Sequence, residues 1–166
     1  MYIYRQSTIL LDGWFDGTIT TVYNNKGDCL YEIERFHQAI DVYNEVIKIE
    51  PKNSDTWFNK GLCFQRIENF EQAIDSFQCC LEINPNNTLA LENKGKSLME
   101  LNKFNQTIEC FDKIIQHDPL NSISFNLKGA CLNNLAKFKD SLFFLEKSIA
   151  LNSNNAIAFY NRGFCL

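Results

Sequence analysis

The sequence predicts an all-α protein, a solenoid of antiparallel helix pairs stacked in chain order. Three observations carry that expectation. Gly27, Gly61, Gly95, Gly129 and Gly163 stand 34 residues apart, with no insertion or deletion between them. Within a period, apolar residues recur at helical spacing in two blocks, Trp57, Gly61, Phe64 and Ile67, then Phe70, Ala73, Ile74, Phe77 and Leu81. Pro51, Pro85 and Pro119 close the second block, and Asn53, Asn87, Asn121 and Asn155 precede the first. A fixed period of this length marks a repeat architecture, because one repeat cannot bury its apolar face alone.

Residues 1–19 do not fit the period. Shifted into register, they place Arg5 in the column that elsewhere holds alanine, and Asp12 in a buried one. Gly13 and Gly17 argue against a long helix there. Ile9-Leu10-Leu11 is too short an apolar run for a signal peptide, and no small-residue cleavage site follows. Two readings stand for this segment: a poorly ordered leader, or a cover in which Trp14 and Phe15 shield the edge of the first repeat.

From Thr20 the repeats are 20–53, 54–87, 88–121 and 122–155, followed by a partial repeat, 156–166. Nine repeat helices are expected. The asparagines suit N-cap positions, where a side-chain oxygen accepts bonds from orphan amides. Arg66 to Asn69 makes the turn inside the second repeat, and the prolines stop its second helix and those of its neighbours. Each mid-helix glycine costs about 0.5–1 kcal/mol relative to alanine. The compensation is close helix approach, since Ala39, Ala73, Thr107 and Ser141 are small residues on the partner helices. A buried phenylalanine is worth ~3–5 kcal/mol against truncation to alanine. Packing therefore wins, and the glycine and phenylalanine columns are core.

Seven cysteines need placing. Cys29, Cys63, Cys131 and Cys165 share one column, completed by Ser97, on the inner side of each first helix. Neighbouring helices pack about 8–10 Å apart, whereas bridged Cα atoms stay within about 7 Å. Cys79, Cys80 and Cys110 fall on second helices, on or next to the buried stripe. All seven read as small packing residues. No CxxC or paired-histidine spacing for zinc is present, and a reducing, cytoplasmic compartment is expected. The last segment offers Phe159, Phe164, Cys165 and Leu166 with no second helix over them. Terminal repeats need a polar outer face, so either the chain is incomplete or this helix meets a partner.

These residues resemble the tetratricopeptide repeat (TPR) family, whose pattern is W-x2-L-G-x2-Y, then A-x3-F, then P, at a period of 34. Trp57, Gly61, Phe64, Ala73, Phe77 and Pro85 hold those places, with Lys60 where leucine is usual. The match weakens from Ser122, where Ser141, Leu145 and Ser153 replace the alanine, phenylalanine and proline. The resemblance implies a right-handed superhelix whose first helices line a concave groove for extended peptides. It implies a non-catalytic scaffold for a protein or peptide partner. The alternative is a TPR arm of a larger protein, for example an O-GlcNAc-transferase-like glycosyltransferase with its catalytic part elsewhere.

On that groove, Asn25, Asn59, Asn93 and Asn161 form a column broken by Leu127. It is similar to the asparagine ladder of long TPR superhelices, whose amides both donate to and accept from a peptide backbone. Leu89, Ile123 and Ile157 form a second column, with Phe58, Leu62, Leu127, Tyr160 and Phe164 beside it. Exposed apolar surface of this extent marks an interaction site; alternatively, curvature buries part of it between repeats. Lys26, Lys60, Lys94, Lys128 and Arg162 form a further row. They either lay their stems on apolar surface with heads in water or make a basic stripe. The dicarboxylate clamp of chaperone-binding TPR domains would need Asn24, Asp28, Asn59, Leu89 and Asn93 to be lysine, asparagine, asparagine, lysine and arginine. Only the middle asparagine survives, so chaperone C-terminal tails are not expected partners.

Composition narrows the remaining classes. Sixteen basic residues against 20 acidic give a net charge of −4, without the basic footprint of a nucleic-acid binder. No apolar run approaches the ~18–20 residues of a membrane span. No phosphate loop, HExxH or GxSxG motif occurs, and His37 and His117 occupy different repeat positions without a recognisable partner. No catalysis, cofactor or metal is expected.

Overall fold

A computed structural model describes residues 2–165, with side chains described from residue 17 onward. Among these residues the secondary structure is all helix: α1 (Tyr2–Glu32), α2 (Phe36–Ile49), α3 (Ser54–Arg66), α4 (Phe70–Ile83), α5 (Thr88–Glu100), α6 (Phe104–His117), α7 (Ser122–Asn134), α8 (Phe138–Leu151) and α9 (Ala156–Gly163). The helices form two compact units, Met1–Pro85 and Asn86–Leu166. In the first, α1 packs on α2, α2 on α3 and α3 on α4. In the second, the same succession runs from α5 to α9. No described helix is long and apolar enough to cross a membrane.

The leader differs from expectation. Backbone from Tyr2 to Glu32 is one continuous helix, so Gly13 and Gly17 do not interrupt it. Glycine weakens a helix by about 1 kcal/mol without forbidding it. The suggested cover by Trp14 and Phe15 falls outside the described side chains, and Leu166 lies outside the described residues altogether.

Close approach within each helix pair sets the core. A Cβ added at Gly27 would stand 2.4 Å from the Tyr43 ring, and one at Gly61 2.6 Å from the Phe77 ring. At Gly95 it would stand 2.9 Å from Phe111, and at Gly129 2.6 Å from Leu145. Those four partners are among the largest fully buried side chains. Opposite them, Ala39, Ala73, Thr107 and Ser141 are wholly buried. The two polar members turn their hydroxyls back to carbonyls: Ser141 Oγ donates to Gly129 O at 2.7 Å, and Thr107 Oγ1 to Lys103 O at 3.1 Å.

Helix starts follow the sequence signals on one side of each hairpin. Asn53, Asn87, Asn121 and Asn155 accept from the backbone amides of Thr56, Ala90, Ser124 and Ala158, and Asn69 does the same for α4. Helices α2, α6 and α8 begin at Arg35, Lys103 and Lys137 with no side-chain cap bond. The turn between paired helices recurs with a residue in the left-handed region, at Glu34, Glu68, Asn102 and Ala136, with φ between 56° and 60°. Except at Asn102, these are residue types that enter that region at a cost of about 1–2 kcal/mol.

All seven cysteines are free. Cys63 and Cys131 are fully buried, as is Ser97 in the same column. Cys29 departs from the expected packing role and is exposed. It lies on α1, which among the described residues packs on α2 and α3. Burial pushes the Cys131 thiol from 9.0 up to about 12, and burial with the nearby Asp28 charge does the same at Cys63.

Two predictions follow from this packing. Gly61→Ala should destabilise the fold by about 1–3 kcal/mol through overpacking against Phe77. Gly17→Ala, where none of the described atoms lies within 4 Å, should stabilise it by about 0.5–1 kcal/mol. Urea unfolding of both variants reads the opposite signs. The second concerns pH. A buried thiol that stays protonated until about 12 while the unfolded thiol ionises from 9.0 adds stability that is complete below pH 9. That contribution is lost as pH rises through this window, so urea midpoints should fall from pH 9 upward, and fall less steeply in Cys131→Ala.

Candidate peptide-binding faces

Each unit carries one face built from its first helices. In the first unit this is α1 beside α3. Tyr43 hydroxyl donates to Asp28 at 2.6 Å, and Asn59 Nδ2 donates to the same carboxylate oxygen at 2.9 Å. Thr56 hydroxyl donates to Asn24 at 2.9 Å. Burial first, then the Asp28 carboxylate, drives the Tyr43 phenol far above its ordinary range, so it remains a donor. These bonds tie α1 to α2 and α3 and leave a cavity of about 290 Å³ lined by Asp28, Tyr31, Glu32, Tyr43, Asn59 and Leu62. Two carboxylates and two tyrosines make this cavity suited to a cationic group.

The second unit has a cavity of about 360 Å³ lined by Ala130, Asn133, Asn134, Phe138, Asn161 and Phe164. Asp28, Tyr31, Glu32, Asn59 and Leu62 become Ala130, Asn133, Asn134, Asn161 and Phe164 three repeats on. The position is the same and the chemistry is not: acidic in the first unit, neutral amide and apolar in the second. Here Asn161 Nδ2 donates to Asn126 at 3.0 Å, and Asn133 Nδ2 donates to the Asn161 carbonyl at 2.8 Å. Cys165 Sγ lies 3.0 Å from the Asn133 side-chain oxygen.

The asparagine column is therefore less free than its sequence implies. Asn59, Asn93 and Asn161 each donate within the chain, to Asp28, to the Leu89 carbonyl and to Asn126. Asn25 is exposed on α1. Among apolar candidates, Leu89, Ile123 and Tyr160 are 59%, 54% and 68% exposed, and Ile157 and Phe164 are also open. Phe58, Leu62 and Leu127 are half-buried, and the Phe58 ring sits 5.8 Å from that of Phe77. Burial thus splits the expected group: the Leu89 column is surface, whereas Phe58 belongs partly to the core. Asn24, Asp28, Asn126 and Asn133 carry the polar contacts of these faces and do not stand out in the sequence, because each differs from its counterparts one repeat away.

Three of the five residues of the basic row, Lys60, Lys128 and Arg162, rest on aromatic rings. Lys60 Nζ lies over the Trp57 and Phe64 rings, at 4.9 Å and 5.8 Å. Lys128 Nζ lies 4.0 Å from the Phe144 centroid and pairs with Asp112. Arg162 covers Phe159 at 5.2 Å. The heads of these three sit on aromatic faces, where cation–π attraction adds about 0.5–2 kcal/mol. No described cluster of three or more His, Cys, Asp or Glu residues could hold a metal ion.

Two family models, each described as tetratricopeptide repeat, match residues 54–87 and residues 20–53. No curated protein matches the chain. Among solved structures, a crystal structure of MamA is 20% identical with a TM-score of 0.85, covering 90% of this chain and 81% of that one. MamA from Desulfovibrio magneticus is 15% identical with a TM-score of 0.82, covering 88% and 82%. YrrB, described as a TPR protein with an unusual peptide-binding site, is 18% identical with a TM-score of 0.77, covering 86% and 74%. At these identities the likeness is one of fold.

Proposed function

Because the chain belongs to the tetratricopeptide repeat family, we infer that it is a protein-interaction scaffold whose first-helix faces hold extended segments of a partner. The observation that carries this reading is the pair of cavities at equivalent positions, one per unit, together with the exposed apolar side chains Leu89, Ile123 and Tyr160 on the first helices of the second unit. YrrB supports it by analogy, as a fold relative with a peptide-binding site. The cavity at Asp28 and Glu32 selects a lysine or arginine side chain. The face of the second unit selects apolar ones, through Leu89, Ile123, Leu127 and Tyr160. Asn25 and Asn59 in the first unit, and Asn93 and Asn161 in the second, orient the segment that each unit holds. Hydrogen bonds net about 0.5–1.5 kcal/mol each, and three of these amides already have partners in the chain. Micromolar affinity needs about 8 kcal/mol, so buried apolar anchors at ~1.5–3 kcal/mol each must supply most of it.

A peptide library screened by fluorescence anisotropy tests the reading. Leu89→Asp/Ile123→Asp should weaken selected peptides by about a hundredfold or more, from two lost anchors. Asn59→Ala/Asn93→Ala should weaken them by about tenfold at most. Asp28→Asn should remove the preference for basic residues while leaving apolar selection intact. If the double aspartate variant, folded by circular dichroism, binds as well as the parent, these faces are not the binding surface.

A further inference from the structure

The acid pair of the first-unit cavity belongs to one repeat alone. One, two and three periods on, Asp28 becomes Leu62, Lys96 and Ala130, and Glu32 becomes Arg66, Glu100 and Asn134. The phenol behind the pair is confined to the same repeat, since Tyr43 is followed in its column by Phe77, Phe111 and Leu145. Tyr43 is 1% exposed with its ring against Gly27, so what it offers the cavity is its hydroxyl. Packing in the glycine notch does not need that hydroxyl, because phenylalanine and leucine fill the other notches without one. The hydroxyl and the acids occur together, in the one repeat where they meet.

The Tyr43 hydroxyl and Asn59 Nδ2 both donate to Asp28 Oδ1, at 2.6 Å and 2.9 Å. One oxygen of that carboxylate is thus spent, and Oδ2 is left to accept from outside. Glu32 stands one turn further along α1, and side chains four apart on a helix share a face, about 5–6 Å apart at Cβ. Neither carboxylate has an ion-pair partner among the described residues. Arg66, whose guanidinium lies 5.7 Å from the Tyr31 ring, pairs with Glu34 instead. At about 290 Å³ the cavity lies just below the size at which small-molecule pockets begin, about 300 Å³, so it has room for one side chain. A lysine ammonium is a compact point charge that either carboxylate alone would serve. A guanidinium is planar, and its donors fan out in a fixed fork that reaches two acceptors at once.

We propose that this cavity is an arginine site: the guanidinium of a partner donates to Asp28 Oδ2 and to Glu32 together, and Tyr43 and Asn59 are the positioning residues that hold Asp28 for it. The proposal rests on the reading of this cavity as a cation site and narrows it from basic side chains in general to arginine. Arginine also stacks on aromatic faces, and Tyr31, in edge contact with Phe36 at 5.4 Å, supplies one in the lining. With Ala130 and Asn134 at the matching places, the second-unit cavity has no acid and does not share the preference.

Titration of the full chain with N-acetyl-arginine methylamide, and with its lysine and citrulline counterparts, tests this by NMR at the Asn59 side-chain amide. The arginine probe should bind at least about tenfold more tightly than the lysine probe, the difference made by one more charge-assisted hydrogen bond. Citrulline, which keeps the shape of arginine and loses its charge, should bind more weakly than both. Side-chain amide signals of Asn133 and Asn134 should stay in place with every probe. Glu32→Ala removes the second acceptor at an exposed position and should bring the arginine and lysine probes within about threefold of each other. Tyr43→Phe keeps the ring in its notch, releases Asp28 Oδ1 and should narrow the ratio in the same way, with folding checked by circular dichroism. Equal binding of the arginine and lysine probes, both tighter than citrulline, overturns the arginine assignment and leaves the cation reading standing. If neither cation binds better than citrulline, both fall. A ratio unchanged from the parent in Glu32→Ala or in folded Tyr43→Phe also overturns the proposal, since the two carboxylates would then not share the ligand as described.

Discussion

A methyl group has no room at the point where each pair of helices crosses. That exclusion, repeated at Gly27, Gly61, Gly95 and Gly129, brings a first helix close enough for Tyr43, Phe77, Phe111 and Leu145 to pack against bare backbone. The rest of each unit depends on it. The small residues Ala39, Ala73, Thr107 and Ser141 are wholly buried because the helices meet there. The glycines weaken their own helices by about 1 kcal/mol each, and the large side chains they admit contribute several times that when buried. Losing helix propensity to gain close packing is the trade on which the repeat rests.

The same frame explains how one scaffold carries two different cavities. Backbone positions lining them are set by helix pairing, which is uniform, while the side chains at those positions face outward and vary. Asp28 and Glu32 in the first unit give way to Ala130 and Asn134 in the second. The acidic cavity is also braced by the core, since the hydroxyl of the buried Tyr43 holds the Asp28 carboxylate that Asn59 shares. Where the second unit has Leu145 in place of that tyrosine, Asn126 and Asn133 take over the bracing through Asn161. Core identity in the notch column thus reaches the surface through a single polar atom.

The periodic part of the molecule was legible in its residues because it is imposed several times over. Glycines, asparagine caps and prolines recur in fixed phase; α3, α5, α7 and α9 begin at the asparagines, and α2, α4 and α6 end just before the prolines. What could not be seen lies where one repeat departs from the others. The asparagine column was visible, but not that Asn59, Asn93 and Asn161 spend their donors inside the chain, because their acceptors Asp28, the Leu89 carbonyl and Asn126 follow no common column. Cys29 shares a register with buried Cys63 and Cys131 yet is exposed, so register alone does not set the burial of that column. The helical leader escaped notice because glycine content speaks to propensity, and propensity is weak beside the continuation of an existing helix. The left-handed turn residues Glu34, Glu68 and Ala136 gave no signal at all, for nothing in their side chains favours that conformation.

The claim at the centre is that the glycine and the large side chain opposite it act as one unit. A double-mutant cycle on Gly61 and Phe77 measures that directly, by urea unfolding of Gly61→Ala, Phe77→Leu and the pair together. The smaller leucine opens room for the added methyl, so the double variant should be less destabilised than the two single losses combined, by at least about 1 kcal/mol. Additivity within about 0.3–0.5 kcal/mol would mean that Gly61 and Phe77 act independently, and that something other than this contact sets how closely the helices approach.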